Sequence, residues 1–152
     1  MPETQPPSTT RVWFRLIRLH QTLYSEVATR LRVIGLSVPQ FDVLSTLTER
    51  EGMSQRELAE RLYVTKGNVS GLIDRLVDAG LVERRSIPED RRSHALYLTP
   101  EGNTLALRGI EVHQKFMEET LGRLPGVDVI TLDRILVSWR DVMRELASQT
   151  NP

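Results

Sequence analysis

The fold of this chain is decided by residues 54–102, SQRELAERLYVTKGNVSGLIDRLVDAGLVERRSIPEDRRSHALYLTPEG. Ser54 and Glu57 have the spacing of a capping box, in which each side chain accepts a backbone N–H of the other, so a helix is predicted to start here. Only two residues separate that helix from Thr65, which can cap the next one. Because so short a connection makes the two helices cross at a steep angle, it predicts a helix-turn-helix.

The hydrophobic period changes after this pair of helices. Apolar residues recur at helical spacing up to Gly80, which is the expected C-cap of the second helix. Residues 81–86 and 94–99 instead alternate between apolar and polar side chains, and each predicts a short strand. The residues between them, 87–93, contain Pro and Asp, which favour a turn. The sequence therefore predicts a β-hairpin, the wing of a winged helix-turn-helix.

Two helices are predicted before the helix-turn-helix. Apolar side chains recur every three or four residues from Thr10, and Gly35 ends that segment. Ser37 and Gln40 repeat the capping box and start a second helix, for which Gly52 is the expected end.

Two longer helices are predicted after the wing. Thr99 caps the first, which runs to about Gly122, and the last helix carries an apolar stripe at steps of three and four residues. The stripe consists of Leu132, Leu136, Trp139, Met143 and Leu146. Because the winged unit already has a core, this stripe favours packing against partner helices, most economically from a second copy of the chain.

Composition limits the class of protein. The 152 residues carry twenty basic and twenty acidic side chains and no cysteine, which excludes thiol nucleophiles, cysteine redox sensing and cysteine zinc sites. No charged start precedes an apolar run, and no stretch approaches the roughly 18 apolar residues of a membrane span. The expected protein is cytoplasmic and mainly α (α+β), with a flexible tail, 1–10, and a single domain, 11–152.

The outward face of the second helix of the pair has the chemistry needed to read DNA. Such a helix enters the major groove N-terminus first, where Asn pairs with adenine, Lys reaches phosphate or guanine, and Gly permits close approach. The outward residues are Thr65, Lys66, Gly67, Asn68, Ser70, Gly71, Asp74 and Arg75. At the start of the preceding helix, Ser54, Gln55 and Arg56 offer amides and a cation to a phosphate. The alternative is a solvated face without function, and DNA reading is favoured because a helix-turn-helix and a wing occur together.

The wing concentrates arginine on a narrow protrusion. Arg84 lies in its first strand, and Asp90, Arg91 and Arg92 lie in the predicted loop. A two-stranded loop fits the DNA minor groove, whose negative potential attracts arginine. We expect Asp90 to hold one guanidinium in place and brace the hairpin, so that the acid preorganises the base. The alternative is a surface ion pair worth under about 1 kcal/mol.

These motifs together resemble the winged helix-turn-helix of the MarR (multiple antibiotic resistance regulator) family. The most specific part is DRR followed by LYLTPEG, whereas the outer helices match in pattern only. The resemblance implies a homodimer that binds a pseudo-palindromic operator in double-stranded DNA. It places dimerisation helices at 11–35 and 100–149 and a DNA-binding lobe at 37–99.

Roles for individual residues also follow from the resemblance. It implies that Asp90 orients Arg92 or its neighbour in the minor groove and that residues 65–75 read the major groove. Members of the family are usually repressors released by small, often aromatic or phenolic ligands, which bind in a cleft between the dimer helices and the DNA-binding lobe. Some members sense oxidants through cysteine, which this chain lacks.

Four side chains are candidates for lining such an effector cleft: Trp13, His20, Phe41 and His113. Both histidines lie on otherwise apolar faces, where a satisfied core histidine is more common than a ligand contact. The three histidines of the chain lack metal-ligand spacing, and neither a metal nor a cofactor is predicted.

The sequence thus predicts a transcriptional regulator, a homodimeric repressor released by a small ligand. An enzyme is disfavoured because the chain has no glycine-rich phosphate loop, nucleophile motif or recognisable carboxylate pair. One alternative is a winged-helix module that binds protein through its basic wing. Another is a regulatory domain of an enzyme, although 152 residues leave no room for a catalytic domain beside it.

Overall fold

The computed structural model describes residues 7–62 and 66–150 and is mainly helical with one small sheet. The chain divides into two compact units, residues 1–113 and 114–152. The elements in chain order are α1 (Thr9–Val33), α2 (Val38–Glu49), β1 (Met53–Ser54), α3 (Gln55–Leu62), α4 (Lys66–Asp78), β2 (Val82–Ile87), β3 (Asp90–Leu98), α5 (Pro100–Glu119), a 3₁₀ turn (Leu121–Arg123) and α6 (Gly126–Thr150). This is the predicted winged helix-turn-helix with helices on either side of it.

Capping side chains set where helices begin. The Oγ of Ser37 accepts the N–H of Gln40 at 3.3 Å, and the Oε1 of Gln40 accepts the N–H of Ser37 at 2.9 Å. Ser54 and Glu57 form the same reciprocal pair, at 3.2 Å and 2.8 Å. Both predicted capping boxes are therefore confirmed. The predicted cap at Thr65 lies outside the described residues.

Glycine ends α1 and α4 by the same motif. Gly35 and Gly80 have φ angles of +82° and +71°, a conformation that L side chains rarely adopt. The residue after each glycine donates its N–H to a carbonyl five residues back, Leu36 to Leu31 in the first case. These are Schellman motifs, and they confirm both predicted helix ends.

Three helix boundaries differ from the predictions. α1 begins one residue earlier, inside the predicted tail, with Ser8 as its N-cap. α2 ends at Glu49 rather than near Gly52, because the backbone of the next residue is already extended. α5 ends before Gly122, where the 3₁₀ turn takes over. In each case the helical backbone hydrogen bonds begin or end at a residue other than the glycine or threonine that the sequence indicated.

The sheet has three antiparallel strands in the order β1-β3-β2. The sequence did not predict β1, in which Met53 pairs with Leu96 and Ser54 with Ala95. A strand of two residues has no alternation of side chains that a pattern could reveal. Its pairing adds a third strand to the wing hairpin next to the start of α3.

The wing hairpin differs from the prediction in the length of its loop. β3 begins at Asp90, so only residues 88–89 connect the strands, instead of the predicted 87–93. A register shift between Ser86 and Ile87 accompanies this tight connection. Arg91 and Arg92 therefore lie in the first residues of β3 and not at the tip of a loop.

The core of the first unit lies between the C-terminal end of α1, helices α2 to α4 and the sheet. Its fully buried side chains include Leu31, Leu44, Leu47, Leu58, Ile73, Leu76 and Leu96. α5 contacts this core closely at two glycines. A Cβ on Gly102 would lie 1.8 Å from the carbonyl oxygen of Leu81, and one on Gly109 would lie 2.7 Å from the ring of Phe41. Only glycine permits α5 to pack at this separation.

In the second unit, α6 exposes its apolar stripe. The side chains of Leu132, Leu136, Met143 and Leu146 are between 38% and 56% exposed. Large apolar side chains in a row on one exposed helix face are typical of an interaction surface. Neither α6 nor any other helix within the described ranges combines the length and apolarity needed to cross a membrane.

Candidate nucleic-acid interface

Helix α4 has one buried face and two exposed edges. The buried face consists of Val69, Leu72, Ile73 and Leu76. Since an α-helix has about 3.6 residues per turn, residues four apart lie along the same edge. One edge carries Gly67, Gly71 and Arg75, and the other carries Ser70 and Asp74. Apart from Thr65 and the side chain of Lys66, which are not described, the predicted DNA-reading residues thus lie on the accessible side of α4.

No contact with the described residues requires glycine on the first edge. A Cβ at Gly67 or at Gly71 would meet none of their atoms within 4 Å. Glycine in a helix interior costs up to about 1 kcal/mol relative to alanine, so two of them weaken α4 without improving its packing. The two glycines instead change the surface of α4, because without side chains they leave its backbone exposed along this edge.

Most arginines of the winged unit are already paired with acids. These pairs are Arg50–Glu57, Arg56–Glu60, Arg61–Glu49, Arg84–Asp74 and Arg85–Glu83. Arg75 on α4 and Arg92 on the wing differ, since both are exposed and neither forms an ion pair with a residue that the structure describes. These two guanidinium groups can therefore bind phosphate without first breaking an ion pair.

The start of α3 is more fully occupied than predicted. The capping box uses the N–H groups of Ser54 and Glu57, while Arg56 pairs with Glu60 at 3.0 Å. The Oε1 of Gln55 accepts a hydrogen bond from an arginine of β2 at 3.3 Å. A phosphate at this position would depend on the remaining backbone N–H groups of the first turn, which have no acceptor within the helix.

Removing the capping serine is expected to lower stability and to change its pH dependence. Bonds from the Ser54 backbone and hydroxyl hold the pKa of Glu57 below its ordinary value of 4.5. Because the pKa is lowered by folding, the stabilisation is present above pH 4.5 and is lost as pH falls through the lower, folded value. Ser54→Ala should cost about 1 kcal/mol at neutral pH. It should also flatten the acid limb of stability, measured by denaturant unfolding between about pH 3 and pH 7. The flattening should be partial, because the backbone N–H of Ser54, the larger cause of the lowered pKa, remains in this variant. An unchanged acid limb would contradict the contribution of the Ser54 hydroxyl.

Asp90 braces the backbone of the wing. Its Oδ1 accepts the N–H of Arg92 at 3.0 Å, and its Oδ2 accepts the hydroxyl of Ser93 at 2.6 Å. These bonds, the one from Ser93 foremost, hold the pKa of the Asp90 carboxyl below its ordinary value. The bracing was predicted, but the contact to Arg92 runs through its backbone and not its guanidinium. The side chain of Arg91 lies outside the described set.

A pocket of about 600 Å³ adjoins the glycine edge of α4. It is lined by Tyr24, Pro39, Asp42, Leu62, Gly67, Asn68, Val69, Gly71, Leu72 and Arg75. Its volume suits a small molecule, and it combines apolar side chains with a few polar groups, as ligand sites do. The pocket shares four residues with the predicted DNA-reading face, namely Gly67, Asn68, Gly71 and Arg75.

Two acid–base features adjoin this pocket. Although Asp42 is exposed at the pocket edge, partial burial of its carboxyl raises the pKa, and the nearby charge of His113 opposes that shift. The imidazole of His113 stacks on Phe41, with ring centroids 5.5 Å apart.

The described residues contain no group of three or more His, Asp or Glu side chains that could hold a metal ion.

The four predicted effector residues do not line the pocket. Phe41 is only 7% exposed and belongs to the core, because α5 packs on its ring at Gly109 and His113. His20 lies on the exposed side of α1, 6.1 Å from the ring of Tyr24, and Trp13 is half exposed. The structure therefore brings Phe41 and His113 together, whereas Trp13 and His20 lie on α1. The sequence did not predict Tyr24 and Asp42 as pocket residues, because only the packing of α1, α2 and α4 together brings them to the pocket.

Comparisons with known proteins agree with this architecture. A model of the MarR family matches residues 34–93. The HTH-type transcriptional repressor Rv2887 of Mycobacterium tuberculosis is 33% identical over 123 residues, which cover 81% of this chain and 88% of that protein.

Two solved structures of DNA complexes have a similar fold. A mutant of MarR from E. coli complexed with operator DNA is 28% identical, with a TM-score of 0.75 over 82% of this chain and 90% of that one. The transcriptional repressor CouR bound to a 23-mer DNA duplex is also 28% identical, with a TM-score of 0.74 over 86% of this chain and 90% of that one. These relatives are regulators and not enzymes, and the chain, with its own α4 and wing arranged as described, belongs to the MarR family of transcriptional regulators.

Proposed function

We propose that this chain is a homodimeric repressor that binds a pseudo-palindromic operator and is released by a small ligand. The observation that carries the proposal is a pair of exposed cations, Arg75 on α4 and Arg92 on the wing, which form no ion pair with any described residue and lie beside a helix edge that carries two glycines. A repressor among the relatives and DNA-bound members among the similar structures support it.

The dimer is supported by the exposed apolar stripe on α6. Burying apolar surface contributes roughly 25 cal/mol per Å², and several large side chains at three- and four-residue steps suit a facing helix. A second copy supplies the same stripe and a second α4, which a palindromic operator requires. We propose that residues 11–35 and 100–149 form the dimerisation region and that 37–99 form the DNA-binding lobe.

Each element has a separate task on the DNA. We propose that Asn68 and Ser70 on α4 contact base edges in the major groove, with Gly67 and Gly71 allowing close approach. Arg92 enters or borders the minor groove, held in place by the backbone bonds of Asp90. Arg75 binds phosphate and fixes the register of α4.

A mobility shift with the DNA immediately upstream of the protein's own gene, in a salt series, tests this function. We expect a sequence-specific shift that fits one dimer per site and weakens steeply with salt. A shift no stronger than that on unrelated DNA of the same length would contradict an operator there, and a winged module that binds protein would then be the better explanation.

Two single substitutions should weaken this binding in different ways. Arg92→Ala removes a phosphate or groove contact, so it should lower affinity for all DNA sequences and reduce the salt slope by about 1 per wing. Asn68→Ala removes a base contact, so it should lower discrimination at one position per half-site by about 1–3 kcal/mol and leave the salt slope unchanged. Fluorescence anisotropy on the mapped operator and on single-base variants measures both. Wild-type behaviour of either variant would show that its role is misassigned.

The ligand is proposed to bind the pocket beside α4 and to compete with DNA. A small aromatic acid suits the site, because its ring would lie on Leu62 and Leu72 while its carboxylate pairs with Arg75. Since Arg75 then becomes unavailable to phosphate, binding of such a ligand and binding of the operator oppose each other.

The variant Tyr24→Phe should separate ligand binding from DNA binding. Tyr24 lines the pocket on the α1 side, so loss of its hydroxyl should weaken binding of an aromatic acid by about fivefold, the value of one hydrogen bond, and leave operator affinity unchanged. His20→Ala, one turn away on the same helix, is the matched control and should bind both like wild type. Calorimetry with a panel of aromatic acids measures the ligand affinity of both variants. If His20→Ala lost affinity and Tyr24→Phe did not, the ligand site would lie nearer to His20 than proposed.

A further inference from the structure

Arg84 on β2 connects three elements of the DNA-binding lobe. Its Nη2 lies 2.5 Å from the Oδ1 of Asp74 on α4, and its Nε donates to the Oε1 of Gln55 at the start of α3, at 3.3 Å. Only 26% of the Arg84 side chain is exposed, against 56% for Asp74. The guanidinium is thus held from two directions between the wing and both helices of the helix-turn-helix.

The next residue of the strand shows that this link is specific to Arg84. Arg85 pairs with Glu83 of its own strand and lies over the ring of Tyr97, 4.0 Å from its centroid. Both partners of Arg85 belong to the wing itself. Successive residues of a strand point to opposite faces, so the side chains of Arg84 and Arg85 lie on opposite faces of β2. The Arg84 side chain is the one that contacts α4.

The contacts of Arg84 also compete with a direct contact to DNA. Nε and Nη2 are already directed at protein oxygens, and a guanidinium has a fixed fork of donors. Asp74 lies on the accessible side of α4, where an uncompensated carboxylate would repel phosphate. The guanidinium of Arg84 neutralises that carboxylate through their ion pair. The effect of Arg84 on DNA binding is therefore indirect, through the charge and position of Asp74.

We propose that Arg84 is a positioning residue that fixes the angle between the wing and helix α4, so that both reach their grooves in register. This inference rests on the proposed function as a DNA-binding repressor, and it assigns to Arg84 a role other than the phosphate or groove contact that the sequence suggested.

The ratio of specific to non-specific DNA affinity tests the proposal. Arg84→Gln should lower the ratio of operator affinity to scrambled-DNA affinity by about tenfold, the loss expected when one good base contact is misplaced. The salt slope should stay at the wild-type value when Arg84→Gln is combined with Asp74→Asn, because that pair removes no phosphate contact and leaves no uncompensated carboxylate. A fall in affinity that is equal for both DNAs, with a salt slope reduced by about 1 per subunit, would overturn the proposal and make Arg84 a phosphate contact.

Three variants serve as controls. Arg85→Gln makes the same charge change one residue away and should keep the wild-type ratio. Arg84→Lys restores the charge without the two-directional fork, so it should resemble Arg84→Gln rather than wild type. In the double variant Arg84→Gln with Asp74→Asn, the ratio should fall no further than in Arg84→Gln, because the two residues act as one unit. If the ratio in the double variant fell by the sum of the losses in Arg84→Gln and in Asp74→Asn alone, the coupling between the two residues would be overturned.

A measurement without DNA separates failure of this proposal from failure of the proposed function. The chain has no cysteine, so spin labels can be placed at Asp78→Cys on α4 and Glu89→Cys at the wing tip, both exposed. Labelled chains diluted with unlabelled chains should give one narrow distance distribution by pulsed dipolar spectroscopy. Arg84→Gln should broaden it at an unchanged melting temperature, whereas Arg85→Gln should not. An unchanged distribution in Arg84→Gln would overturn the positioning role whatever the DNA results are.

Discussion

Replacing Gly102 by alanine is expected to destabilise this protein by about 3 kcal/mol, at the upper end of what an added methyl group costs in a packed site. A Cβ at this position would lie 1.8 Å from the carbonyl oxygen of Leu81 and 2.8 Å from its carbonyl carbon. Those atoms are backbone and cannot rotate away as a side chain would. α5 would have to move from the segment that joins α4 to the wing.

The effect should be visible as a large fall in melting temperature. For a chain of this size, 3 kcal/mol corresponds to between about 6 and 12 °C, measured by scanning calorimetry at fixed protein concentration. Gly126→Ala is the matched control, because a Cβ there meets nothing within 4 Å, and its melting temperature should not fall. If Gly102→Ala melted like wild type, α5 would not pack against Leu81 as closely as described.

Replacing Gly71 by leucine is expected to reduce operator affinity by about a hundredfold while leaving the fold intact. The position has open space in the free protein, and leucine is a much better helix former than glycine, so unfolding should require up to about 1 kcal/mol more. In the complex the same side chain would hold α4 away from the bases. A loss of about 1–3 kcal/mol in each of two half-sites gives the hundredfold effect.

Opposite signs for stability and affinity make this result specific. Gly71→Ala should be intermediate in affinity and at least as stable as wild type. Ala79→Leu adds a similar apolar group at an exposed position just after α4 and should bind operator normally. Anisotropy titrations and denaturant unfolding of the same samples measure both quantities. Full operator affinity in Gly71→Leu would show that this edge of α4 does not face DNA. Because leucine also fills the adjoining pocket, ligand binding is better tested with the Tyr24 variant.

The fold and the outward placement of the described polar residues of α4 were predictable because they depend on local signals. The capping boxes at Ser37 and Ser54 and the glycine ends at Gly35 and Gly80 involve hydrogen bonds between residues three to five apart in the chain. The period of apolar residues reports which face of each helix is buried, independently of what covers it. Such features were predicted and are confirmed by the structure.

The contacts of individual site residues were not predictable in the same way. The DNA contact of Arg84 stays a prediction, but its protein partners could not be predicted, because Gln55 is 29 residues away and Asp74 is 10 residues away. Phe41 was expected in an effector cleft, but its ring is closed off by Gly109 on a helix that follows the wing. No local pattern contains these distances, because they depend on how complete elements pack.

The sequence by itself therefore determined the helix-turn-helix, the wing and the outward residues of α4, since turns, caps and periodicity act over a few residues. Only the tertiary structure decided the pairing of β1 with β3 and the partners that hold each arginine. It also decided which edge of α4 adjoins the pocket with Tyr24 and Asp42. The reason is physical: the hydrogen-bond partner of a side chain depends on which distant segments packing brings together. Arg75 and Arg92 keep exposed charges because packing brings no acid from the described part of the chain to them.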